Sequence, residues 1–394
     1  MGNNLKLLDY VILKMCYFLL LVDSVNGFFA NKGAALPISS LYKFVLLGIL
    51  LYRLLKLKRS SPIWYLTYIA AIFLYYALYD FDLFSISFSF ISRYLIIIIL
   101  YEYFIQLIKQ YNISRYLYKI IKFNFIVLVC NILLGLLGIG YGTYDNFGSK
   151  GFFYAGNETS GVLLTLAPVI LYIAIKKFSI KSLQFVVIMA ICLISAVLLG
   201  TKSALLGIFI ILFYIIWKYS RIKKMYILSF ITCIITGVCY YIYHHFSFML
   251  DRFLFAFDKR DKGWMALLSG REEFYETNMT EFYSSNPIGN FFGLGMPDKT
   301  IEIDFFDFLF IGGYLAMFLL ITLWIINLRK SYKKGEIPSL IFFTNLLLIG
   351  ISFVAGHIYS SAMAGPFIAI INILPMIETQ FSNIIKGSKI IYHK

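Results

Sequence analysis

Residues 306–328 read FDFLFIGGYLAMFLLITLWIINL, a run in which Asp307 is the one charged side chain. A helix rises about 1.5 Å per residue, so about 20 apolar residues span the roughly 30 Å hydrocarbon core of a membrane. The strands of a membrane barrel would be shorter and would alternate in polarity. Similar runs recur at 7–29, 38–55, 62–79, 84–107, 121–141, 159–175, 182–199, 203–217, 225–243, 338–356 and 362–377. The sequence therefore predicts an all-α polytopic membrane protein with about twelve transmembrane helices in a single integral membrane domain, 1–394.

Basic residues are distributed in a way that indicates the orientation of these helices. The formal net charge is +15, and a basic cluster follows every even-numbered predicted helix. Because cytoplasmic loops of membrane proteins carry the excess of Lys and Arg, we expect both termini in the cytoplasm. The positive charge thus reflects topology, and it does not indicate a nucleic-acid partner. The clusters lie at 53–59, 109–122, 176–181, 218–224, 329–334 and 386–394.

One long polar segment, 244–305, interrupts the apolar pattern between predicted helices nine and ten. Eleven of the twenty acidic residues lie between Asp251 and Asp307, so this segment is chemically unlike the rest of the chain. By the charge rule it faces outward. An S-x-x-E capping box at 269–272 predicts a helix through about Tyr283. We therefore expect a large, partly helical extracytoplasmic loop that carries the function.

Four charged residues of this loop and its boundary are candidates for chemistry. Arg271 would lie in the first turn of the predicted helix, where the dipole disfavours a cation, so it indicates an anionic partner. That partner is either a nearby carboxylate or a ligand phosphate. Glu302 and Asp304 share a face of an extended segment, whereas a helix starting there would put Asp304 and Asp307 on one face. Crowded carboxylates suit acid–base catalysis, although acidic residues are also favoured at any solvated helix N-terminus.

Three further charged residues belong to the outer side of the predicted bundle. Lys202 lies in the short connection 199–203, against the positive-inside trend, and is either a snorkelling anchor or a cation for a phosphate. Arg93 lies about nine residues into the fourth predicted helix. A buried Arg costs at least about 2.5 kcal/mol in a membrane, so it should face a cavity or a carboxylate. Glu158 opens the sixth predicted helix on the same side.

The sequence contains no motif for a metal or a nucleotide cofactor. All five cysteines lie inside apolar runs, and the four histidines show no metal-ligand spacing. The chain also lacks a phosphate-binding loop, a dinucleotide fingerprint and a nucleophile elbow. We therefore expect neither a metal nor a cofactor.

Residues 200–207, GTKSALLG, resemble the (T/S)-x-S-R-G-A-L-L segment of the O-antigen polymerase (Wzy) and O-antigen ligase superfamily of bacterial envelope glycosyltransferases. Lys202 stands near the basic residue of that segment, in a slightly shifted context. Residues 157–161, NETSG, are similar to another family segment. The resemblance spans about 155–325. Further similar parts follow in the family's order at Arg271, 286–289, 293–295 and 307–313.

This resemblance implies a metal-independent, inverting glycosyltransferase of lipopolysaccharide or surface polysaccharide biosynthesis in the bacterial cytoplasmic (inner) membrane. The enzyme would transfer a glycan chain from undecaprenyl pyrophosphate to a lipid-linked repeat unit on the outer face of that membrane. Its partners would be the undecaprenyl-pyrophosphate-linked oligosaccharide, membrane lipid and a chain-length regulator protein. No cofactor would be needed, because the lipid pyrophosphate is itself the leaving group.

The resemblance also suggests roles for the candidate residues. Asp307 would contribute to substrate binding beside the catalytic groups. The cations that would neutralise the departing pyrophosphate are Lys202, Arg271 and Arg93. The carboxylates that could take the proton of the acceptor hydroxyl are Glu302, Asp304 and Glu158.

Three alternatives to polymerisation remain open at this point, and one of them, a non-enzymatic scaffold, would not require the cations on the outer side. An O-antigen ligase would transfer the glycan to a lipid A core, and ligases of the family carry a His near the end of the large loop. Residues 246–305 contain no His, which favours a polymerase. A transporter of lipid-linked sugars would need polar residues at mid-membrane depth, and the predicted helices are poor in them.

The orientation can be tested by labelling. In a background without the native cysteines, single cysteines replacing Ser247 and Ser284 should react with an impermeant thiol reagent in intact cells. A cysteine replacing Ser220 should react only after the membrane is opened, because the basic cluster beside it marks the cytoplasmic side. The reverse labelling pattern would overturn the orientation.

Overall fold

The structure is a computed structural model that describes residues 5–34, 36–79, 81–144, 147–220, 272–295, 300–353 and 356–387. Within these ranges the chain is mostly helical. A hairpin of β1 (Tyr141–Tyr144) and β2 (Phe147–Gly151) and short 3₁₀ turns at Gly135–Leu137 and Leu374–Met376 are the other elements. The helices, numbered through the described residues, are α1 (Leu7–Tyr17), α2 (Leu19–Asn31), α3 (Ile38–Lys56), α4 (Ser61–Tyr79), α5 (Phe81–Gln110), α6 (Ser114–Leu134), α7 (Gly156–Phe178), α8 (Leu183–Leu199), α9 (Lys202–Tyr219), α10 (Glu272–Ser284), α11 (Pro287–Phe292), α12 (Asp304–Ser331), α13 (Glu336–Ser352), α14 (Gly365–Ile371) and α15 (Glu378–Ile385).

The all-α polytopic class predicted from the sequence is confirmed. Seven of the described helices are long and apolar enough to cross a membrane, or eight if the pair bent by 98° around Ile377 is one span. Eleven predicted runs coincide with helices, and the twelfth, 225–243, lies outside the described residues, so the count of about twelve stays a prediction. The hairpin is not predicted by the sequence, and it follows a helix that ends at Leu134 instead of 141.

Helix α7 is the most buried of the candidate spans among the described residues. It packs against α6, α8, α9, α13 and α14. A Cβ on Gly207 of α9 would lie 2.5 Å from Leu164, and a Cβ on Gly161 would lie 3.3 Å from Ala364. Small residues allow such close packing in a membrane, where lipid removes the hydrophobic drive between helices. The neighbours of α7 thereby fix Glu158 at its N-terminal end.

A buried amide satisfies the backbone where the first span is interrupted. Helices α1 and α2 are separated at Phe18. The Oδ1 of Asn124 in α6 accepts a hydrogen bond from the Leu20 N–H at 3.1 Å, and its Nδ2 donates to the carbonyls of Cys16 and Tyr17. The hydrocarbon core supplies no partners for freed backbone groups, so an irregular span needs such a side chain.

Polar pairs also join helices to one another. Arg53 of α3 donates from Nε and Nη2 to both carboxylate oxygens of Asp9 in α1, at 2.7 and 2.8 Å. The Tyr103 hydroxyl donates to the same carboxylate at 3.1 Å. Asn345 of α13 and Asn372, at the end of α14, exchange hydrogen bonds of 2.8 and 3.2 Å. Each pair replaces the water that these groups would otherwise need.

Two segments of backbone meet where α12 is interrupted. Gly313 has φ 67° and ψ −168°, which breaks the helix. Gly293, just after α11, lies against this break, and a Cβ there would be 2.2 Å from the Ile311 carbonyl oxygen. The next N–H, that of Leu294, donates to the Phe310 carbonyl at 3.0 Å. The end of the large loop is thus hydrogen-bonded directly to the membrane helix that follows it.

This junction predicts a clear loss of stability for Gly293→Ala. Gly138→Ala is the control for a positive φ, because φ is 97° at Gly293 and 70° at Gly138, but nothing lies within 4 Å of a Cβ on Gly138. The control should lose about 1–2 kcal/mol from the left-handed backbone alone. Gly293→Ala should lose roughly 1–3 kcal/mol more, from overpacking and because its ψ of 163° puts it in a region that residues other than glycine rarely adopt. Thermal unfolding of the purified variants in detergent measures both, and equal melting temperatures would contradict the junction.

Candidate functional site

Asp304, the first residue of α12, is fully buried and accepts five hydrogen bonds from a segment between α13 and α14. Its Oδ1 accepts from the N–H of His357 at 3.1 Å, the N–H of Ser360 at 3.3 Å and the Ser360 hydroxyl at 2.7 Å. Its Oδ2 accepts from the N–H groups of Ile358 and Tyr359 at 2.8 and 2.9 Å. A carboxylate has about four lone-pair sites, so these donors saturate it.

We call residues 356–361 the anchored loop, because this carboxylate holds its backbone. His357 has φ 65° and Glu302 has φ 57°, values that are uncommon for residues other than glycine. Gly356 lies against Glu302, where a Cβ would be 2.1 Å from the carbonyl oxygen. The geometry of Asp304 favours a positioning role, since its oxygens would have to release these donors before either could accept a proton.

Asp307, one turn further along α12, is the second buried carboxyl of the predicted cluster, with 1% of the residue exposed. Its Oδ1 accepts a hydrogen bond from the Ile301 N–H at 3.0 Å. Its Oδ2 has no hydrogen-bond partner among the residues that the structure describes. Glu302 is exposed at the surface of the same turn. The segment 301–307 therefore presents three carboxyls in three different environments.

His357 joins this cluster, although the sequence analysis singles out no role for it. It is half-buried, lies within electrostatic range of Asp307, and has its Nδ1 3.3 Å from the Ser360 hydroxyl. The sequence distance of 50 residues from Asp307 hides the proximity. The available signal is the polar stretch 356–361, GHIYSS, between two apolar runs.

Burial, reinforced by the charge of Asp304, raises the pKa of the neighbouring Tyr359, so its hydroxyl stays protonated.

Glu158, in the first turn of α7, is connected to the other end of the anchored loop. The Ser361 hydroxyl donates to Glu158 Oε2 at 2.6 Å. The same hydroxyl oxygen accepts from the N–H groups of Met363 and Ala364, at 3.1 and 3.0 Å, where α14 begins. Within the described part of the chain, Glu158 Oε1 has no hydrogen-bond partner. One loop thus contacts Asp304 through its backbone and Glu158 through a hydroxyl.

A cavity of about 650 Å³ opens beside Glu158, between α2, α3, α5 and the segment that leads into α7. This volume is in the usual range of small-ligand sites. Arg93, an exposed residue of α5, lines it. No residue that the structure describes forms a hydrogen bond or ion pair with Arg93. The cavity therefore combines a guanidinium with its donors available and a carboxylate with one oxygen available.

Lys202 and Arg271 are only partly placed by the structure. Lys202 is the exposed first residue of α9 and does not line the cavity. The residue before it, Thr201, caps α9 by accepting the Ala204 N–H at 3.2 Å, and its hydroxyl lies 2.6 Å from that of Ser160 in α7. Lys202 thus begins its helix next to the first turns of α7. Arg271 lies outside the described residues, so its convergence with Lys202 stays a prediction.

The segment 152–155, between the hairpin and α7, lines one side of the cavity, and the hairpin beside it carries a basic group. Tyr154, between β2 and α7, lines the cavity with 82% of the residue exposed. The Nζ of Lys150 lies 5.9 Å from the centre of its ring. Partial burial lowers the pKa of Lys150 from its ordinary value, because the charged form loses hydration.

The chain belongs to the family described as O-antigen ligase like membrane protein, whose model matches residues 7–262. Members of this family are membrane enzymes that handle O-antigen and related glycans, so the protein is a multi-pass membrane protein with a related envelope glycosyltransferase-type function. No curated protein and no solved structure matches the chain significantly. The match includes Arg93, Glu158 and Lys202 but ends before Arg271. The resemblance of 271–325 to the family therefore stays a prediction.

The anchored loop predicts that a near-isosteric change of Asp304 affects stability. Asp304→Asn would turn an amide N–H₂ toward backbone donors, so at least one charge-assisted bond is lost and a donor is left unpaired, at roughly 3 kcal/mol. Glu281→Gln in α10 is the control, because its exposed side chain should change stability by less than about 0.5 kcal/mol. Thermal unfolding in detergent compares the two. An unchanged melting temperature for Asp304→Asn would show that the anchor is not needed.

Proposed function

We propose that this protein is a surface-polysaccharide polymerase of the O-antigen type. It would transfer a glycan chain from undecaprenyl pyrophosphate to a lipid-linked repeat unit on the outer face of the bacterial cytoplasmic membrane. The observation that carries the proposal is the cavity shared by Arg93 and Glu158, at the end of the bundle predicted to face outward. The family supports glycan chemistry, and the absence of a His from residues 246–305 favours the polymerase within it.

Arg93 would bind the pyrophosphate of the donor. A guanidinium presents five N–H donors in a planar fork that matches phosphate oxygens, and this one has no protein partner within the described residues. Negative charge builds on the bridging oxygen as the bond from the anomeric carbon to the pyrophosphate breaks. A fixed cation lowers the free energy of that transition state. Lys202 and Arg271 would add positive charge around the same leaving group.

Glu158 is the carboxylate best placed to act as the general base. Its Oε2 accepts a hydrogen bond from the Ser361 hydroxyl, which orients the carboxylate. Its Oε1 would then take the proton of the acceptor sugar hydroxyl. The acceptor oxygen would then bond to the anomeric carbon as the pyrophosphate leaves from the opposite face. This single displacement inverts the anomeric centre. It needs no metal in the proposed scheme, because the cations of the chain balance the leaving group.

The other predicted catalytic carboxylates receive different roles. Asp304 would position the anchored loop, and through Ser361 it would position Glu158. Glu302 remains the second candidate for the base, because it is exposed and lies beside the loop. Asp307 would hold the end of the large loop through the Ile301 N–H, within electrostatic range of His357.

His357 supports an O-antigen ligase as a second candidate function. Ligases of the family carry a His near the end of the large loop, and His357 reaches that place from a later segment of the chain. Its backbone N–H is bound by Asp304, and its ring lies within range of Asp307. A ligase would use the same donor lipid and would pass the glycan to a lipid A core.

The surface glycans of a deletion strain distinguish these functions. For a polymerase, deletion should remove the long chains and leave single capped units. Wild-type protein and Glu281→Gln, an exposed carboxyl of α10, should restore the ladder of chain lengths. Glu158→Gln should not restore it, since loss of a general base lowers rates by about 10²–10⁴-fold. Arg93→Ala should not restore it either, because the leaving pyrophosphate loses its cation. Arg93→Lys should restore short chains only, because it keeps the charge and loses the fork.

Variant protein must be present at wild-type levels in the membrane for this comparison. Loss of every capped unit in the deletion strain would replace the polymerase by the ligase. An unchanged glycan profile would remove both. A full ladder with Glu158→Gln would move the role of the base to Glu302.

A further inference from the structure

A tyrosine at the edge of the cavity is exposed on a segment whose backbone is fixed. Tyr154 lies between β2 and α7, and it lines the cavity that also contains Glu158. Just before it, the Phe152 N–H donates to Asn131 Oδ1 at 2.7 Å, and Phe153 is buried. Most of the Tyr154 side chain nevertheless stays exposed. The segment therefore presents a large aromatic surface at the cavity on a rigid support, as binding sites require.

Two neighbours on the hairpin contact this ring. The ring of Tyr141 in β1 lies 6.1 Å from it, centre to centre, at an angle of 81°. The Tyr141 hydroxyl donates to the Gly27 carbonyl of α2 at 3.4 Å, which ties the hairpin to the cavity wall. Lys150 Nζ in β2 lies 5.9 Å from the centre of the Tyr154 ring. Edge-to-face pairs and cation–π contacts both favour particular ring orientations, so Tyr154 is held without being covered.

Lys150 adds a second group that a ligand can use. Its ammonium has three N–H donors, and no residue that the structure describes forms a hydrogen bond or an ion pair with it. A sugar has hydroxyls around its edge and C–H groups, slightly positive, on its faces. It can therefore stack on the negative face of an aromatic ring while a hydroxyl oxygen accepts from the ammonium. A free phosphate has no apolar face and would gain nothing from the ring.

A tyrosine near a membrane surface can also be an interfacial anchor, because its apolar ring and its hydroxyl suit the headgroup region. An anchor would not need to line a cavity that contains Arg93 and Glu158. The Cα atoms of Tyr154 and Glu158 are at most about 14 Å apart, since four residues span no more than that. A sugar stacked on Tyr154 would thus be held near the proposed base.

We propose that Tyr154 is a stacking platform for a sugar ring of the acceptor glycan, with Lys150 donating to one hydroxyl of that sugar. Tyr141 is a positioning residue, because it contacts the Tyr154 ring and does not line the cavity. The assignment of the sugar to the acceptor rests on the proposed function, whereas the binding of a sugar at this ring does not.

Kinetics of purified full-length protein test the role of the ring, with lipid-linked repeat units extracted from the deletion strain as substrate. Tyr154→Ala should raise KM at least about tenfold and change kcat less than about threefold, because the ring contributes binding and takes no part in bond formation. Tyr154→Phe and Tyr154→Trp keep the aromatic face, so KM should stay within about threefold of wild type. Lys150→Met, which removes one donor, should raise KM about threefold.

Tyr332→Ala is the matched control for these kinetics. Tyr332 is about as exposed as Tyr154, 78% against 82%, but it does not line the cavity. Its loss should leave both constants unchanged. Size-exclusion profiles show whether each variant is folded, and the aromatic variants of Tyr154 separate loss of the ring from loss of the fold.

Direct binding separates this inference from the proposed function. The probe is the repeat-unit oligosaccharide, released from lipid and pyrophosphate by mild acid. In Tyr154→Trp the indole reports the ligand, since stacking of a sugar changes its emission. A saturable change should appear in Tyr154→Trp and be absent from Tyr332→Trp and from wild-type protein, which carries four tryptophans. Inorganic pyrophosphate alone should not produce it.

The outcomes divide as follows between the two ideas. A saturable response of Tyr154→Trp in protein that does not elongate lipid-linked units would keep the sugar platform and remove the polymerase. Wild-type KM in Tyr154→Ala, or no response of Tyr154→Trp to the oligosaccharide, would overturn the platform. Reduced membrane levels of Tyr154→Ala at unchanged KM would identify an interfacial anchor instead.

Discussion

The Asp304 carboxylate organises one end of this bundle. Its five hydrogen bonds reach across from the start of α12 to the anchored loop, and no water is needed to complete them. The loop continues to Ser361, which donates to Glu158 at the start of α7 and accepts two N–H groups at the start of α14. One side chain therefore sets the relative positions of three helix ends. The position of Glu158 beside the cavity depends on it.

The need to pair every buried backbone group also explains why irregular backbone can exist among these apolar helices. Each interruption is placed where protein groups replace solvent, since hydrocarbon offers no hydrogen bonds. Asn124 completes the break between α1 and α2, and the Leu294 N–H bonds a carbonyl beside the break at Gly313 in α12. At both breaks a donor or acceptor of the protein itself pairs the backbone groups that the interrupted helix leaves free.

Much of the fold could be predicted from the sequence, because the signal for a membrane helix is local. About twenty apolar residues in a row predict a membrane-spanning helix, whichever helices it packs against. The start of α12 at the IEIDFFD segment and the end of α10 before Pro287 follow from similarly local rules. The hairpin, by contrast, has strands of four and five residues rich in glycine and polar side chains, so its pairing leaves little trace in the pattern.

The candidate site was predictable as a set of residue types but not as an arrangement. The free-energy cost of burying an arginine in a membrane predicts that Arg93 faces a cavity or a carboxylate. Only the packing of the helices shows that Glu158 lines the same cavity. His357 was missed because its partners lie about 50 positions earlier in the chain. The roles of the acids differ for the same reason. Asp304 and Glu158 look alike in sequence, but one receives five donors and the other receives one. A base needs a lone pair that is not already bound, so the donors supplied by the anchored loop separate a positioning carboxylate from a reactive one.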